Sequence, residues 1–302
     1  MVAPAALASR LLAATLCVAA AGMTAFAASE PDSGGSSPHR VITLSPHATE
    51  IIHAAGAGHT LVGTVSSSDF PDSARALPRV GDGILLNQER ILTLRPTLVV
   101  GWLRSAAARQ VETLAARLGA EVMYSRPLRL LDIPEEVRRL GQRLGTRTEA
   151  ERAAGQLEAR IRALETRHAG QPRVKVFIEL GDRPLYTIGA DPLINDVLRT
   201  CGAVNVYADT GMPAPRVPVE SVLVQRPELL VTTEQPHSGA AEVRKRWSER
   251  GLEAAQKGHL HMADPDALYR PGPRLVDAAE ALCAAIDAAR SGFKTAEAAS
   301  LK

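Results

Sequence analysis

The chain has 302 residues, 45% of them hydrophobic, with 35 basic against 33 acidic side chains and a formal net charge of +2. That length allows roughly two domains of ~100–200 residues, each large enough to bury a core. Near-neutral charge without a basic tract excludes the electrostatic footprint of a nucleic-acid binder, and an aromatic content of 3% leaves few rings for a binding site.

In chain order, residues 1–27 read as a signal peptide. Arg10 supplies the positive start, LLAATLCVAAAG the apolar run, and Ala25-Phe26-Ala27 a small-x-small site, with cleavage expected after Ala27. The run is shorter than the ~20 apolar residues of a membrane span, and Leu16 before Cys17 does not suit a lipoprotein signal. Residues 28–39, polar and rich in Gly and Ser, read as a flexible tether. Export with loss of the leader leaves two cysteines, Cys201 and Cys283. An even count in an oxidising compartment favours a disulfide between them over two buried thiols.

From Arg40, strand-like and helix-like runs alternate: RVITL, ATEIIHAAGA, LVGTVSS, a helix ending in ILTLRP, TLVVGW, VETLAARLGA and EVMYS. Continuous apolar strands between helices are the pattern of a parallel sheet covered on both faces, so residues 40–147 are expected to form one doubly wound α/β lobe. Thr148 and Glu151 are spaced as a capping box. The helix they would open, Glu149 to His168, carries Ala150, Ala153, Ala154, Leu157, Ile161 and Leu164 on one stripe. At ~30 Å, residues 148–170 read as a stiff linking helix between lobes, which predicts little lobe closure. A second lobe, residues 171–291, opens with RVKVFIEL and a GDRP turn and ends in a helix from Arg274 to Arg290. Residues 292–302 read as a tail.

One pattern occurs twice. ERILTLRPTLVV starts at Glu89 and ESVLVQRPELLV at Glu220, with the acids and the Arg-Pro pairs offset by the same interval. That interval far exceeds the ~20–50 residue period of solenoids and suits one copy per lobe. In each copy an acid starts a helix whose Arg-Pro end turns into a buried strand; Pro biases the residue before it away from helix.

Enzyme signatures are absent from the sequence: there is no G-x-S-x-G, Walker A or H-E-x-x-H motif. His259 and His261 share one face of a strand-like run, but a metal site there needs a third ligand, and a half-exposed strand is the simpler reading. An enzyme of the α/β class, a hydrolase or oxidoreductase built on the two lobes, is therefore the weaker alternative.

RVITLSPHATEIIHAAGA, VSSSDFPDSARALPRVGD, NQERILTLRPTLVVGW and CGAVNVYAD resemble the periplasmic vitamin B12-binding proteins of ABC importers, within a group that includes haem and siderophore binders. The likeness runs from about Arg40 to Ala289. It implies two α/β lobes joined by one long helix, a corrinoid held in the interlobe cleft and delivered to an inner-membrane ABC permease, no resident cofactor, no catalysis, and a monomer. Glu89 and Glu220 match the two acids that dock into permease arginines, although an acid at a helix start also serves the dipole. Trp102 and Tyr186 match aromatic ligand contacts, and Asp266 and Arg270 match polar ones. His47 replaces a small residue that lines the cleft. Other roles stay open for these residues: a core position for Trp102, a local i, i+4 ion pair for Asp266 and Arg270, and a strand-to-helix turn for His47. Ser67, Gly83 and Ala214 stand where better-known B12 binders carry aromatics, which implies either a wider cleft or contacts shifted to Tyr207, Tyr269 or Trp247. Direct ligation of cobalt by His47 is a further expectation. A haem binder with His47 or a cleft tyrosine on the iron is the alternative within the group, and a carrier without a permease is another.

Overall fold

The computed structural model describes residues 39–233 and 239–300. The expected leader, nearly all of the tether, and His237 lie outside them. The first lobe is built from β1 (Val41–Thr43), α1 (Pro46–Ala54), β2 (Leu61–Gly63), α2 (Gln88–Leu94), β3 (Leu98–Gly101), α3 (Ala106–Leu118) and β4 (Glu121–Tyr124). Its sheet has the order β2-β1-β3-β4 with every pair parallel. Two helices follow, α4 (Asp132–Leu144) and α5 (Arg147–His168). The second lobe begins with β5 (Val174–Asp182), β6 (Leu185–Thr187), α6 (Pro192–Thr200), β7 (Ala203–Asn205), α7 (Val219–Gln225) and β8 (Leu229–Thr233). It is completed by α8 (Ala240–Glu249), α9 (Glu253–Gln256), β9 (Leu260–Ala263), α10 (Pro265–Leu268) and α11 (Arg274–Ser300). Its strands run β6-β5-β8-β9, with β7 also on β5. Here β6 forms an antiparallel hairpin on β5 across the GDRP turn, and the other pairings are parallel.

The repeated segment is the same piece of structure in each lobe. α2 and α7 each have seven residues and end at an arginine in the left-handed region, Arg95 at φ 44° and Arg226 at φ 49°. Among the described residues these are the two non-glycine positions with positive φ. A proline after the arginine disfavours right-handed helix there, and the left-handed turn re-aims the chain into β3 or β8. Those strands enter their sheets in matching register: Leu98 opposite Val41 on β1, and Leu229 opposite Val176 on β5.

The strut forms, but its start differs from the expected one. α5 begins at Arg147 with Thr146 in the N-cap position and no side-chain cap, so Thr148 lies inside the helix and the capping box is not made. Gly145, at φ 78°, closes α4, which leaves no room for a longer loop. Glu151 instead pairs with Arg138 of α4 at 3.0 Å. α11 runs on to Ser300, through residues read as a tail; its Ala-rich end carries no proline to stop it.

A single apolar cluster crosses from lobe to lobe. It holds Val41, Ile51 and Val100 of the first, Ile133, Val137, Leu157 and Ile161 of α4 and α5, and Val176, Val197 and Ile286 of the second. The Cys201–Cys283 disulfide ties the end of α6 to α11, with Cα atoms 4.8 Å apart. Closing an 82-residue separation by a cross-link stabilises by roughly 4–5 kcal/mol in the chain-entropy view.

Candidate functional site

Parallel α/β sheets hold ligands at the carboxyl ends of their strands, and here the two sheets present those ends to a shared cleft. On the first lobe, β3 ends at Gly101 and is followed by Trp102, 44% exposed. His47, in the first turn of α1 behind it, is almost fully buried and meets Trp102 edge-on, with ring centroids 5.5 Å apart. Its Nε2–H donates to the Ser125 carbonyl at 3.0 Å, which fixes the tautomer. Burial pushes the imidazole pKa down to about 4, against a smaller opposing effect of that hydrogen bond and of Glu136, so the ring is neutral at physiological pH. Nε2 is thus committed to backbone, and Nδ1 is the nitrogen left with a lone pair.

The loop after β2 is anchored by hydroxyls. Thr43, Thr49, Thr64 and Ser68 are buried and linked at 2.6–3.1 Å, which sets the position of exposed Ser67 and half-buried Asp69 on either side of Ser68. The next loop is tied by the Asp82 carboxylate, which accepts from the amides of Ile84 and Leu85 at 2.8 and 2.7 Å. Gly81, at φ 135°, has no room for a Cβ, which would lie 2.1 Å from the Leu85 carbonyl oxygen.

The second lobe supplies the facing wall through Ile188, Leu193, Ile194, Pro213, Leu268 and Tyr269. The Tyr269 hydroxyl is buried without a hydrogen-bond partner among the described residues, and burial pushes its pKa up. Pro213 reaches the cleft because its loop packs tightly on Gly189, where a Cβ would stand 2.2 Å from the Met212 carbonyl oxygen. Between the walls lies a cleft of 380 Å³. A side pocket of 150 Å³ shares Trp102 and Leu103 with it and is lined also by Leu44, Gly83 and Leu86. Apolar walls with few polar groups are what a large flat ligand requires.

One edge of the cleft is closed by charge. Glu50 of α1, its side chain 1% exposed, receives Arg274 at 2.6 Å and Arg270 at 3.7 Å from the other lobe. Arg270 also binds Asp69 across the cleft and Asp266 on its own lobe, each at 2.6 Å. The guanidinium of Arg274 lies 4.4 Å above the Phe70 ring. Both arginines are thereby engaged by lobe-bridging carboxylates, and the i, i+4 pair of Asp266 and Arg270 exists as part of that larger network.

Of the residues singled out in the sequence, Trp102 lies in the cleft and Gly83 in its side pocket. Tyr186, 40% exposed, and exposed Ala214 sit next to the lining stretches around Ile188 and Pro213 without lining the cavity themselves. Two of the three rings expected to replace the missing aromatics are elsewhere. Tyr207 and Trp247 are buried with Phe177 in a separate cluster on the other face of the second sheet, where Trp247 donates to the Glu179 carboxylate. Tyr269 alone of the three reaches the cleft. Sequence reasoning missed Leu103, Arg126, Leu128 and Ile188, all on the cleft wall; their signal was position, since Leu103, Arg126 and Leu128 follow strand ends and Ile188 follows β6. Glu89 and Glu220 are both exposed, each the second residue of its seven-residue helix.

A family model described as periplasmic binding protein matches residues 41–267. The vitamin B12-binding protein of Vibrio cholerae is 34% identical over 244 residues, 81% of this chain and 87% of that one. Its counterpart from Photorhabdus laumondii is 34% identical over 246 residues, covering 82% and 87%. Among solved structures, a periplasmic vitamin B12-binding protein of Vibrio cholerae superposes with a TM-score of 0.75 at 32% identity, covering 84% of this chain and 98% of that one. A periplasmic haem-binding protein from Roseiflexus sp. RS-1 gives 0.71 at 26%, covering 84% and 100%. With the two largely parallel sheets, the linking helix and the interlobe cleft, these matches establish that the chain belongs to the periplasmic binding protein family.

Proposed function

We propose that this protein captures cobalamin or a related corrinoid in the interlobe cleft and delivers it to an inner-membrane ABC permease, without bond chemistry of its own. The observation that carries this reading is the cleft itself, walled by Trp102 on one lobe and by Tyr269 and aliphatic side chains on the other. The B12-binding relatives from Vibrio and Photorhabdus support the choice of ligand. In this reading the lobes are residues 40–147 and 171–291, held by 148–170. The chain acts as a periplasmic monomer after cleavage behind Ala27, and Ser67, Gly83, Tyr186 and Ala214 rim the bound corrinoid. Calorimetric titration of the purified protein with cyanocobalamin, dicyanocobinamide and haem tests it; saturable binding of the corrinoids is expected, and binding of haem alone overturns it.

A haem ligand is the second reading, and one observation favours it: Tyr269 lines the cleft and its buried hydroxyl has no hydrogen-bond partner among the described residues, a polar group left over for an iron or a polar ligand edge. With Nε2 on Ser125, His47 would serve that role only through Nδ1.

Permease docking is assigned to Glu89 and Glu220. The support is their matched placement, one exposed carboxylate per lobe at the start of duplicated helices, which suits a two-fold symmetric partner. Changing both to lysine is expected to abolish uptake while calorimetric affinity for the corrinoid stays unchanged. Loss of ligand binding in the same variant would remove the assignment.

A further inference from the structure

Among the charged side chains at the cleft, Arg126 stands apart. Asp191 is occupied in capping α6, accepting from the Ile194 amide at 2.9 Å. Arg270 and Arg274, at the cleft edge, are taken by carboxylates. Arg126 is exposed on the cleft wall and has no hydrogen bond or ion pair among the described residues.

The backbone that carries it is fixed on both sides. Arg139 donates to the Tyr124 carbonyl at 2.9 Å, and His47 to the Ser125 carbonyl at 3.0 Å. Asp132 accepts from the amides of Leu128 and Arg129, and Asp196 of the other lobe accepts from Leu130, all at 2.9 Å. Pro127 is buried next to it. These bonds fix the backbone of the loop and leave the Arg126 guanidinium facing a cleft whose neighbouring walls are Trp102, Leu103, Leu128 and Tyr269. Apolar surroundings strengthen a charge interaction relative to open solvent, and a guanidinium is suited to oxyanions because it offers two parallel N–H donors.

We propose that Arg126 is an anion subsite of the cleft, taking an oxyanion carried on the arm of a flat macrocyclic ligand: a phosphodiester if the ligand is a complete corrinoid, a carboxylate if it is haem. The proposal rests on the cleft reading given above, and it makes His47 a positioning residue, acting through Ser125 on the loop that presents Arg126.

The test compares wild type with Arg126→Gln and Arg126→Lys, using the full chain as recovered from the periplasm. Two matched ligand pairs are titrated: cyanocobalamin against dicyanocobinamide, which lacks the phosphodiester, and haemin against its dimethyl ester. Arg126→Gln is expected to weaken binding of the anionic member of a pair by about tenfold, the scale of one charge-assisted hydrogen bond, and to leave the other member within about twofold. Arg126→Lys should keep most of the salt-dependent part of the affinity. The pair that shows the difference identifies the oxyanion. Equal losses within both pairs mean that Arg126 acts by packing and overturn the proposal, as does no loss in either. If wild type binds none of the four ligands, the reading of the cleft falls first and this subsite with it.

Discussion

His47 is a buried base whose cost appears only in acid. Its pKa falls from 6.5 to about 4 on folding because burial disfavours the imidazolium, so below pH 6.5 the unfolded chain takes up a proton that the folded chain refuses. Stability is therefore full above pH 6.5 and declines as pH falls towards 4, by roughly 3 kcal/mol at most. His47→Gln keeps a donor for the Ser125 carbonyl and has nothing to titrate. The difference in urea-unfolding free energy between wild type and this variant is expected to shrink by that amount from pH 7 to pH 4; a pH-independent difference would mean the ring is not held neutral. The same residue shows where sequence reading stops at this scale. That His47 follows a strand end was legible, as was the aromatic character of Trp102. That the imidazole lies behind the indole and bonds Ser125, 78 residues along, depends on how β1, β3 and β4 stack. Tyr207 and Trp247 failed for the same reason: a ring in the sequence does not say which face of its sheet it occupies, and both are on the face with Phe177.

At the level of elements, the duplicated Arg-Pro hinge makes a prediction of its own. Arg95 and Arg226 hold φ values of 44° and 49°, a region that costs an ordinary residue roughly 1 kcal/mol and glycine almost nothing. Arg226→Gly is expected to leave thermal stability within about 0.5 kcal/mol of wild type, since the relief of strain offsets the extra entropy of the unfolded chain. Arg226→Val, with a branched Cβ, should lose ~1–2 kcal/mol, and equal melting temperatures for the two variants would contradict the left-handed hinge. The hinge was readable as punctuation because Pro acts locally on the residue before it. The strands were readable because apolar runs such as TLVVG need cover on both faces. The start of the linking helix was not, because T-x-x-E says only that a cap is available. The competing signal was Gly145, whose left-handed turn ended α4 and started α5 at once. The length of α11 was undervalued for a related reason: with no proline after Arg274, its end has no local marker.

For the whole molecule, the question is whether the lobes move when the cleft fills. The linking helix alone argued for stiffness, and two further features act the same way. The apolar cluster is continuous across α4, α5 and both sheets, so a hinge motion would expose core. At the cleft edge, Glu50 holds Arg274 at 2.6 Å, and Asp69 holds Arg270 at 2.6 Å, so opening there would also strip a buried carboxylate of its partners. Removing one partner of such a pair leaves a buried charge uncompensated, which costs ~3–5 kcal/mol, whereas replacing both by apolar groups is often close to neutral. Arg274→Met is accordingly expected to destabilise by about 3 kcal/mol, the lower end of that range because Arg270 still reaches Glu50 at 3.7 Å, and Glu50→Met with Arg274→Met to recover most of it. The small-angle scattering radius of wild type should be the same with and without ligand. If the charge pair sets the cleft width, the single variant, with Glu50 left only its 3.7 Å contact to Arg270, should show a ligand-dependent contraction that wild type lacks. A wild type that contracts as much would place the restraint elsewhere and leave Glu50 and Arg274 a role in stability alone.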